Sequence, residues 1–543
     1  MQHDASRVVQ AAIQFGNIEQ RTSLLKELAS SIPELAKIQY AHFVVIKLIN
    51  YCGGNETNVA KKDNSAIEQV ANQRRTILKA FKGHMTKLAV HAVGARCVEL
   101  LFGSFPPKEI VPLRYELYGP HLTFSVSATH GNKSLMELIQ QLPDKRENIL
   151  KFLSSLLSKA GDKGLYSFEF YQKLYWEYVQ CLLEMQNEQK DELALKSMEV
   201  GKQRIQQEVA PTVSEHAIQM ISSRAGTRVM CECAAYGTAK DRKKILKSLK
   251  GYTRSSMLHR DAYLLILRVL ETMDDTVTVQ KMLLQEITVQ PKDKEEEKNP
   301  ASPLLELALH DTASKIFLRL LAPETHSYMD PLELDILAPA TMTDADGNSV
   351  STSKKDISVK QAELLKYLQA PLEQLALKHT LELLRSNAGS KVLREIMLSF
   401  PTSDLAKAIV ASTHQTEKSA DDKQTHLDVF EDPITHLVIK TIVMYEVDDE
   451  ELTKKLTQKS NPERLKKYRD TGISVAKELY NEYKGSLMDK IGFCNRGAFV
   501  LEAMCHVKGV GNDVKKELAV SVGKLEQLGK EHKGFECLAK LVK

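Results

Sequence analysis

A basic side chain recurs inside one short phrase: Ala5-Ser6-Arg7-Val8-Val9, Gly94-Ala95-Arg96-Cys97-Val98, Gly226-Thr227-Arg228-Val229-Met230, Ala313-Ser314-Lys315-Ile316-Phe317 and Gly389-Ser390-Lys391-Val392-Leu393. Two small residues, a cation and two apolar residues put a positive charge at the same point of a repeated helix. The chemistry open to that charge is binding: a guanidinium plane stacks on rings, and either cation meets phosphate. His3, His91 and His310 stand a few residues ahead of the phrase, where helix starts and packing positions are expected. Denser basic clusters support the same chemistry. Arg74, Arg75, Lys79, Lys82, Lys87 and Arg96 follow one another with no acidic residue between them. Lys240, Arg242, Lys243, Lys244, Lys247, Lys250, Arg254 and Arg260 share their stretch with Asp241 alone, and a third stretch runs from Lys454 to Arg469. Surfaces that neutralise phosphates and release their counterions are built this way.

Catalytic chemistry has no comparable pattern. Gly509-Val510-Gly511 is followed by Val514 where a dinucleotide fingerprint needs its third glycine, and no strand precedes it. There is no Gly-Lys-Ser/Thr phosphate loop and no His-Glu-x-x-His. Cys231 and Cys233 alone are too few for a metal centre. The expectation is a protein that is not an enzyme and uses no metal or cofactor.

The elements that must carry these residues are helices. Apolar residues recur three and four apart, as in Val8, Val9, Ala12 and Ile13, or Leu264, Leu265, Leu267 and Leu270. Strand signals are almost absent. Val8 to Val44 is 36 residues, Cys97 to Leu135 is 38, Val229 to Leu264 is 35 and Gly497 to Gly534 is 37. Units of that length stack into a solenoid whose core grows with each addition. A decayed unit is expected near Phe170-Tyr171-Gln172-Lys173-Leu174-Tyr175. Polar stretches at Gly53–Asn64, Lys292–Pro303, Thr341–Lys360 and Gln415–Thr425 read as solvated loops. The net charge is only +4, with 74 Lys and Arg against 70 Asp and Glu, so the placement of charge matters more than its sum. Eight scattered cysteines form no CxxC pair and suit buried thiols of a reducing compartment. No apolar run approaches membrane-spanning length.

Taken together, these residues resemble Pumilio (PUF) repeats. In that family the first and fifth residues of a five-residue window contact a base edge and the second stacks between bases. The resemblance places the windows at Ser6, Arg7 and Gln10; Ala95, Arg96 and Glu99; Thr227, Arg228 and Cys231; Ser314, Lys315 and Leu318; and Ser390, Lys391 and Arg394. Gln10 with Ser6 suits adenine, and Glu99 leaves half of a guanine-type reader. Cys231 and Leu318 cannot make strong base-edge hydrogen bonds, and His42-Phe43-Val44-Val45-Ile46 has lost the pattern. Base reading has thus decayed while the cations remain. That combination resembles the divergent, nucleolar, Puf-A-like branch with its C-terminal Puf-like region. Ser223-Arg224-Ala225-Gly226, Gly497-Ala498-Phe499 and His532-Lys533-Gly534-Phe535 carry the likeness along the chain.

The resemblance implies an all-α, bent or L-shaped superhelix of about eleven repeats. It divides the chain into N-terminal repeats at 1–125, central repeats at 126–330 and C-terminal Puf-like repeats at 331–543. It implies largely sequence-independent binding of RNA, and of DNA, in ribosome biogenesis of the large subunit with pre-rRNA processing. Translational control of mRNA, pre-ribosomal protein partners, a monomeric state and a nuclear, nucleolar location belong to the same expectation. The first unit opens almost at Met1, so the helix and Lys-rich tail that would precede it are expected to be missing from this chain. An armadillo or HEAT-like adaptor for acidic peptides is the rival reading. The fixed repeat position of the cation and a unit near 36 residues rather than above 40 favour nucleic acid.

Overall fold

The computed structural model describes residues 3–53, 64–120, 133–183, 199–288, 303–344, 346–414, 428–449, 451–452 and 461–543. Among them, eleven helices carry the repeat phrase or occupy its place. They are α1 (His3–Phe15), α2 (His42–Cys52), α3 (Gly94–Ser104), α4 (Glu169–Leu183), α5 (Arg224–Tyr236), α6 (Tyr263–Thr272), α7 (Ser314–Leu321), α8 (Asn387–Ser399), α9 (Thr435–Tyr445), α10 (Asn495–Met504) and α11 (Lys533–Val542). The chain forms two compact units, Met1–Ser248 with Ala340–Thr352, and Leu249–Pro339 with Ser353–Lys543. In the first, α1 to α5 pack side by side in chain order. In the second, α6 to α11 do the same. A lone helical hairpin cannot bury both faces, and stacking supplies the second face.

The decayed unit expected near Phe170 is α4, which lies between α3 and α5. One spacing is corrected. Leu135 opens a short helix, Leu135–Gln141, that packs against α4, so Leu135 is not the repeat equivalent of Cys97.

The small residues of the phrase have a steric cause. A Cβ on Gly226 would stand 1.9 Å from the Met220 carbonyl oxygen, and one on Gly497 would stand 1.7 Å from that of Ile491. The preceding helix ends against these glycines, and no side chain fits. Helix starts are capped just upstream. Ser223 Oγ accepts from the Gly226 N–H at 3.2 Å, and Ser386 Oγ from Gly389 at 3.1 Å. Elsewhere a histidine is the acceptor. His91 Nδ1 accepts from Val93 and Gly94, both at 3.2 Å, and His259 Nδ1 accepts from Ala262 at 3.2 Å. His310 Nδ1 accepts from Thr312 at 3.3 Å. His3 differs, lying inside α1 beside Asp4 at 3.1 Å.

Thr341–Lys360 is solvent-exposed along most of its described length, as expected, but it is not an irregular loop. Thr341–Thr343 (β1) pairs antiparallel with Ser349–Ser351 (β2), Met342 opposite Val350, and Gly347 turns the hairpin at φ +84°. Lys202 Nζ donates to the Thr341 carbonyl at 2.8 Å, and Glu199 accepts from the Thr343 N–H at 2.8 Å. Beyond the hairpin the helix Ile357–Lys378 begins, and Lys360 is buried with its ammonium donating to the Glu271 carbonyl and to Ser353 Oγ. Among the described residues of this stretch only Lys360 is buried, and its acceptor on Glu271 lies far along the chain, out of reach of any local polarity pattern. The other three polar stretches lie almost wholly outside the described residues, as do Lys454, Lys455 and Lys459.

Candidate nucleic-acid interface

The phrase sorts its own residues by exposure. The residue before the cation is buried in all five cases: Ser6, Ala95, Thr227, Ser314 and Ser390. Ser6 donates to the Tyr40 carbonyl at 2.8 Å and accepts from Gln10 Nε2 at 2.9 Å. Thr227 donates to the Ser223 carbonyl at 2.9 Å and Ser390 to Asn387 at 3.0 Å. The reading of Ser6, Ala95 and Thr227 as base-facing is therefore corrected. One residue of helix turns a side chain by about 100°, from the open face into the neighbouring helix. Glu99 is also corrected. Its carboxylate accepts from the backbone N–H groups of Glu169 and Phe170, both at 2.9 Å, and caps α4. Cys231 and Leu318 are buried.

The cations themselves divide. Arg7 and Arg96 are exposed and form no ion pair among the described residues. Between them, at the same place on α2, Phe43 is 42% exposed. On α4 and α5, Lys173 and Arg228 follow. Among the described residues Lys173 makes only an exposed pair with Glu169, 2.7 Å away and one turn back, a contact of little energy. Arg228 is half-buried, its guanidinium carbon 5.3 Å from the ring centre of Trp176. Lys315 is corrected: its ammonium is 2.6 Å from Glu333 and 3.5 Å from Asp330, so a partner inside the fold already neutralises it. Lys391 and Arg394 are half-buried.

The phosphate clusters are thinned in the same way. Arg74 holds Glu109 with two hydrogen bonds of 3.1 Å, which removes it from the free cations. Arg75 donates to Asn72 Oδ1 at 3.0 Å and forms no ion pair among the described residues, and Lys79, Lys82 and Lys87 are exposed. Arg242 is buried. It donates to the carbonyls of Ala234 and Ala235, both at 2.7 Å, and to Thr352 O at 3.1 Å and Oγ1 at 2.9 Å, so it is a clamp rather than a phosphate contact. Its lysine neighbours on the helix Ala239–Leu249 face out. Lys240, Lys243 and Lys247 are exposed and line a cleft of about 390 Å³ with Lys244, Glu215 and Ser248. Lys244 pairs with Glu215 at 2.9 Å, and that contact holds the Glu215 carboxyl below its ordinary range. In the third stretch Arg464 binds Glu395 at 2.9 Å and Arg469 binds Asp448 at 3.0 Å, leaving Lys466 and Lys467 exposed.

No three His, Cys, Asp or Glu side chains come together as a metal site among the described residues. None of the eight cysteines is in a disulfide, and burial pushes the Cys97 thiol up to about 12. No helix among the described residues is long and apolar enough to cross a membrane.

Residues 310–455 match the CPL (NUC119) domain. The chain is 25% identical to Pumilio homolog 3 of Homo sapiens over 99% of its length and 72% of that protein. It is also 25% identical to Pumilio homology domain family member 6 of Schizosaccharomyces pombe, over 74% of its length and 54% of that protein. The crystal structure of human Puf-A superposes with a TM-score of 0.74 at 23% identity, covering 100% of this chain and 91% of that one. Human Puf-A in complex with DNA gives 0.73. The chain is homologous to Pumilio homolog 3 (Puf-A), shares the helical fold of human Puf-A, and carries a CPL domain.

Proposed function

We propose that this chain is a non-enzymatic nucleic-acid-binding scaffold that grips RNA, and DNA, by charge and ring stacking with little regard for base identity. The observation that carries the reading is the track on the first unit. Arg7, Phe43, Arg96, Lys173 and Arg228 occupy one place on five consecutive helices, while the residues that would read base edges are buried, cap a helix or, as Gln10 does, bond within their own helix. Four cations with one aromatic ring among them suit a charged backbone whose bases are available for stacking, whatever their sequence. The exposed lysines of the Lys240–Lys247 cleft add a second phosphate-binding face. A structure of human Puf-A with DNA bound supports the class of ligand.

The further reading is assembly of the large ribosomal subunit, with pre-rRNA as the RNA, pre-ribosomal proteins as neighbours, and a nucleolar, monomeric protein. Translational control of mRNA is a second role under the same binding mode. Titration of the purified chain against unrelated RNAs, duplex DNA and an acidic peptide tests the core of the proposal. Similar affinities for the nucleic acids, falling steeply with salt, are expected. A thousandfold preference for one short RNA, or tighter binding of the peptide, would overturn it. Crosslinking in cells followed by sequencing tests the finer part, with enrichment of pre-rRNA over mRNA as the expected result.

A further inference from the structure

A cavity of about 230 Å³ lies between α3 and α4 and is bounded on a third side by the helix Pro107–Leu117. Phe102, Ile110, Phe170 and Leu174 line it, and the Phe102 and Phe170 rings stack at 6.4 Å. The charges around these walls are unequal: Glu99, Glu169 and Glu177 against Arg114 and Lys173. Most of them are already engaged. Glu99 caps α4, Lys173 pairs with Glu169, and Arg114 Nη2 donates to the Lys133 carbonyl at 2.6 Å. Glu177 is the exception. Its Oε2 accepts from the Tyr118 hydroxyl at 2.7 Å, it forms no ion pair among the described residues, and burial pushes its carboxyl above the ordinary range. Arg114 and Lys173 attract it only from beyond pairing distance.

A glycine borders the same cavity. A Cβ on Gly103 would meet nothing within 4 Å, in contrast to one on Gly226 or Gly497, so packing does not require glycine here. Glycine in a helix costs stability relative to alanine, and what this position gains is room beside the cavity.

We propose that the cavity is a docking pocket for one long basic side chain of a protein partner, arginine or lysine, its aliphatic stem against the apolar walls and its cation at Glu177. Such stems bury along apolar surface while the head keeps a polar setting. Three carboxylates against two cations leave one negative charge uncompensated, and a single cation balances it. A phosphate would add to the excess, so this pocket differs in kind from the track that Lys173 also borders. The size agrees. Pockets enclosing whole small ligands measure roughly 300–1,000 Å³, and this one suits a side chain.

The full chain, with labelled isoleucine methyls, is titrated with the capped peptide Ala-Ala-Arg-Ala-Ala and with its citrulline counterpart, which keeps the shape and loses the charge. Ile110 reports the pocket. The arginine peptide should shift the Ile110 methyl, and the citrulline peptide should bind roughly ten-fold more weakly. Glu177→Gln keeps an acceptor for Tyr118 and should cost a similar factor, whereas Gly103→Leu should fill the entrance and abolish the shift. The methyls of Ile49 and Ile245, buried elsewhere in the first unit, report whether each variant is folded. Where one is not, the two peptides on the unaltered protein decide. Equal binding of both peptides, binding of neither, or full binding by Glu177→Gln would overturn the proposal. Tighter binding of spermidine would make the occupant a free polyamine, and a short adenosine RNA that itself shifts Ile110 would make the pocket part of the nucleic-acid surface; either result overturns it. Failure of the RNA to bind anywhere removes the proposed function and leaves this pocket standing.

Discussion

The same phrase gives two different surfaces in the two units. In the first unit, Arg7, Arg96 and Lys173 face solvent and Arg228 lies on a ring. In the second, Tyr263 and Leu264 of α6 are buried, and Lys315 of α7 is held by Glu333. On α9 burial keeps His436 below its ordinary range, while Lys440 pairs with Glu502 at 2.8 Å and lies 4.7 Å above the Phe499 ring. At the phrase position a cation is thus left open to a ligand in the first unit and, at Lys315, held as an internal strut in the second. The choice is made by whether another element brings a carboxylate within reach.

The comparison can be broken most sharply at the struts. Arg242→Ala strips donors from Ala234, Ala235 and Thr352 inside the first unit and should cost about 3 kcal/mol or more of stability. Nucleic-acid affinity of the folded variant should be unchanged. Thermal melting alongside an anisotropy titration checks it, and weaker binding without a lower melting point would return Arg242 to the ligand surface.

The second unit should instead answer to pH. Glu446 accepts from Ser474 Oγ at 2.5 Å and the Val475 N–H at 2.6 Å, and burial pushes its carboxyl from an ordinary value of 4.5 up to about 7. The folded state then keeps a proton that the unfolded chain releases, so stability falls as pH rises from 4.5 to about 7 and is flat above. The span is about 3 kcal/mol at most. Unfolding curves of Glu446→Gln should lose this slope, and identical slopes would refute it.

Smaller effects follow on the ligand side. Replacing Lys240, Lys243 and Lys247 by Ala should weaken every RNA by roughly ten- to a hundredfold at low salt and reduce the salt slope by about one unit per lost phosphate contact. Lys315→Met should leave affinity unchanged and lower the melting point, because Glu333 is left buried without its cation. Smallest of all, Ser6→Ala with Gln10→Ala should leave base preference unchanged and cost about 1 kcal/mol of stability, since each of the two bonds is internal.

Much of the fold was written in the period of the apolar residues. The stack, the decayed unit at α4 and the capping histidines all depend on neighbours within a turn or within one repeat. The site was less legible. Whether Arg74, Arg242 or Lys315 is free depends on Glu109, Thr352 and Glu333, which no local pattern connects to them. The buried first window residues follow from helix rotation, and the family windows alone do not contain it. Trp176 was within reach: aligning Gln172-Lys173 with Thr227-Arg228 puts it at the fifth place, but a repeat lacking the small residues hides that alignment.

The hairpin has a consequence for synthesis. Thr341 and Thr352 supply acceptors that Lys202 and Arg242 need inside the first unit, yet they are encoded well after Ser248. A nascent chain that has just emitted α5 still lacks part of that unit and must wait while the start of the second is translated. Expression of the first unit as a separate piece ending near Ser248 would keep the Arg242 bonds to Ala234 and Ala235 but leave the donors that reach Thr352 at an open seam. Residues 340–352 added back as a peptide, or spliced directly behind Ser248, would supply the missing edge.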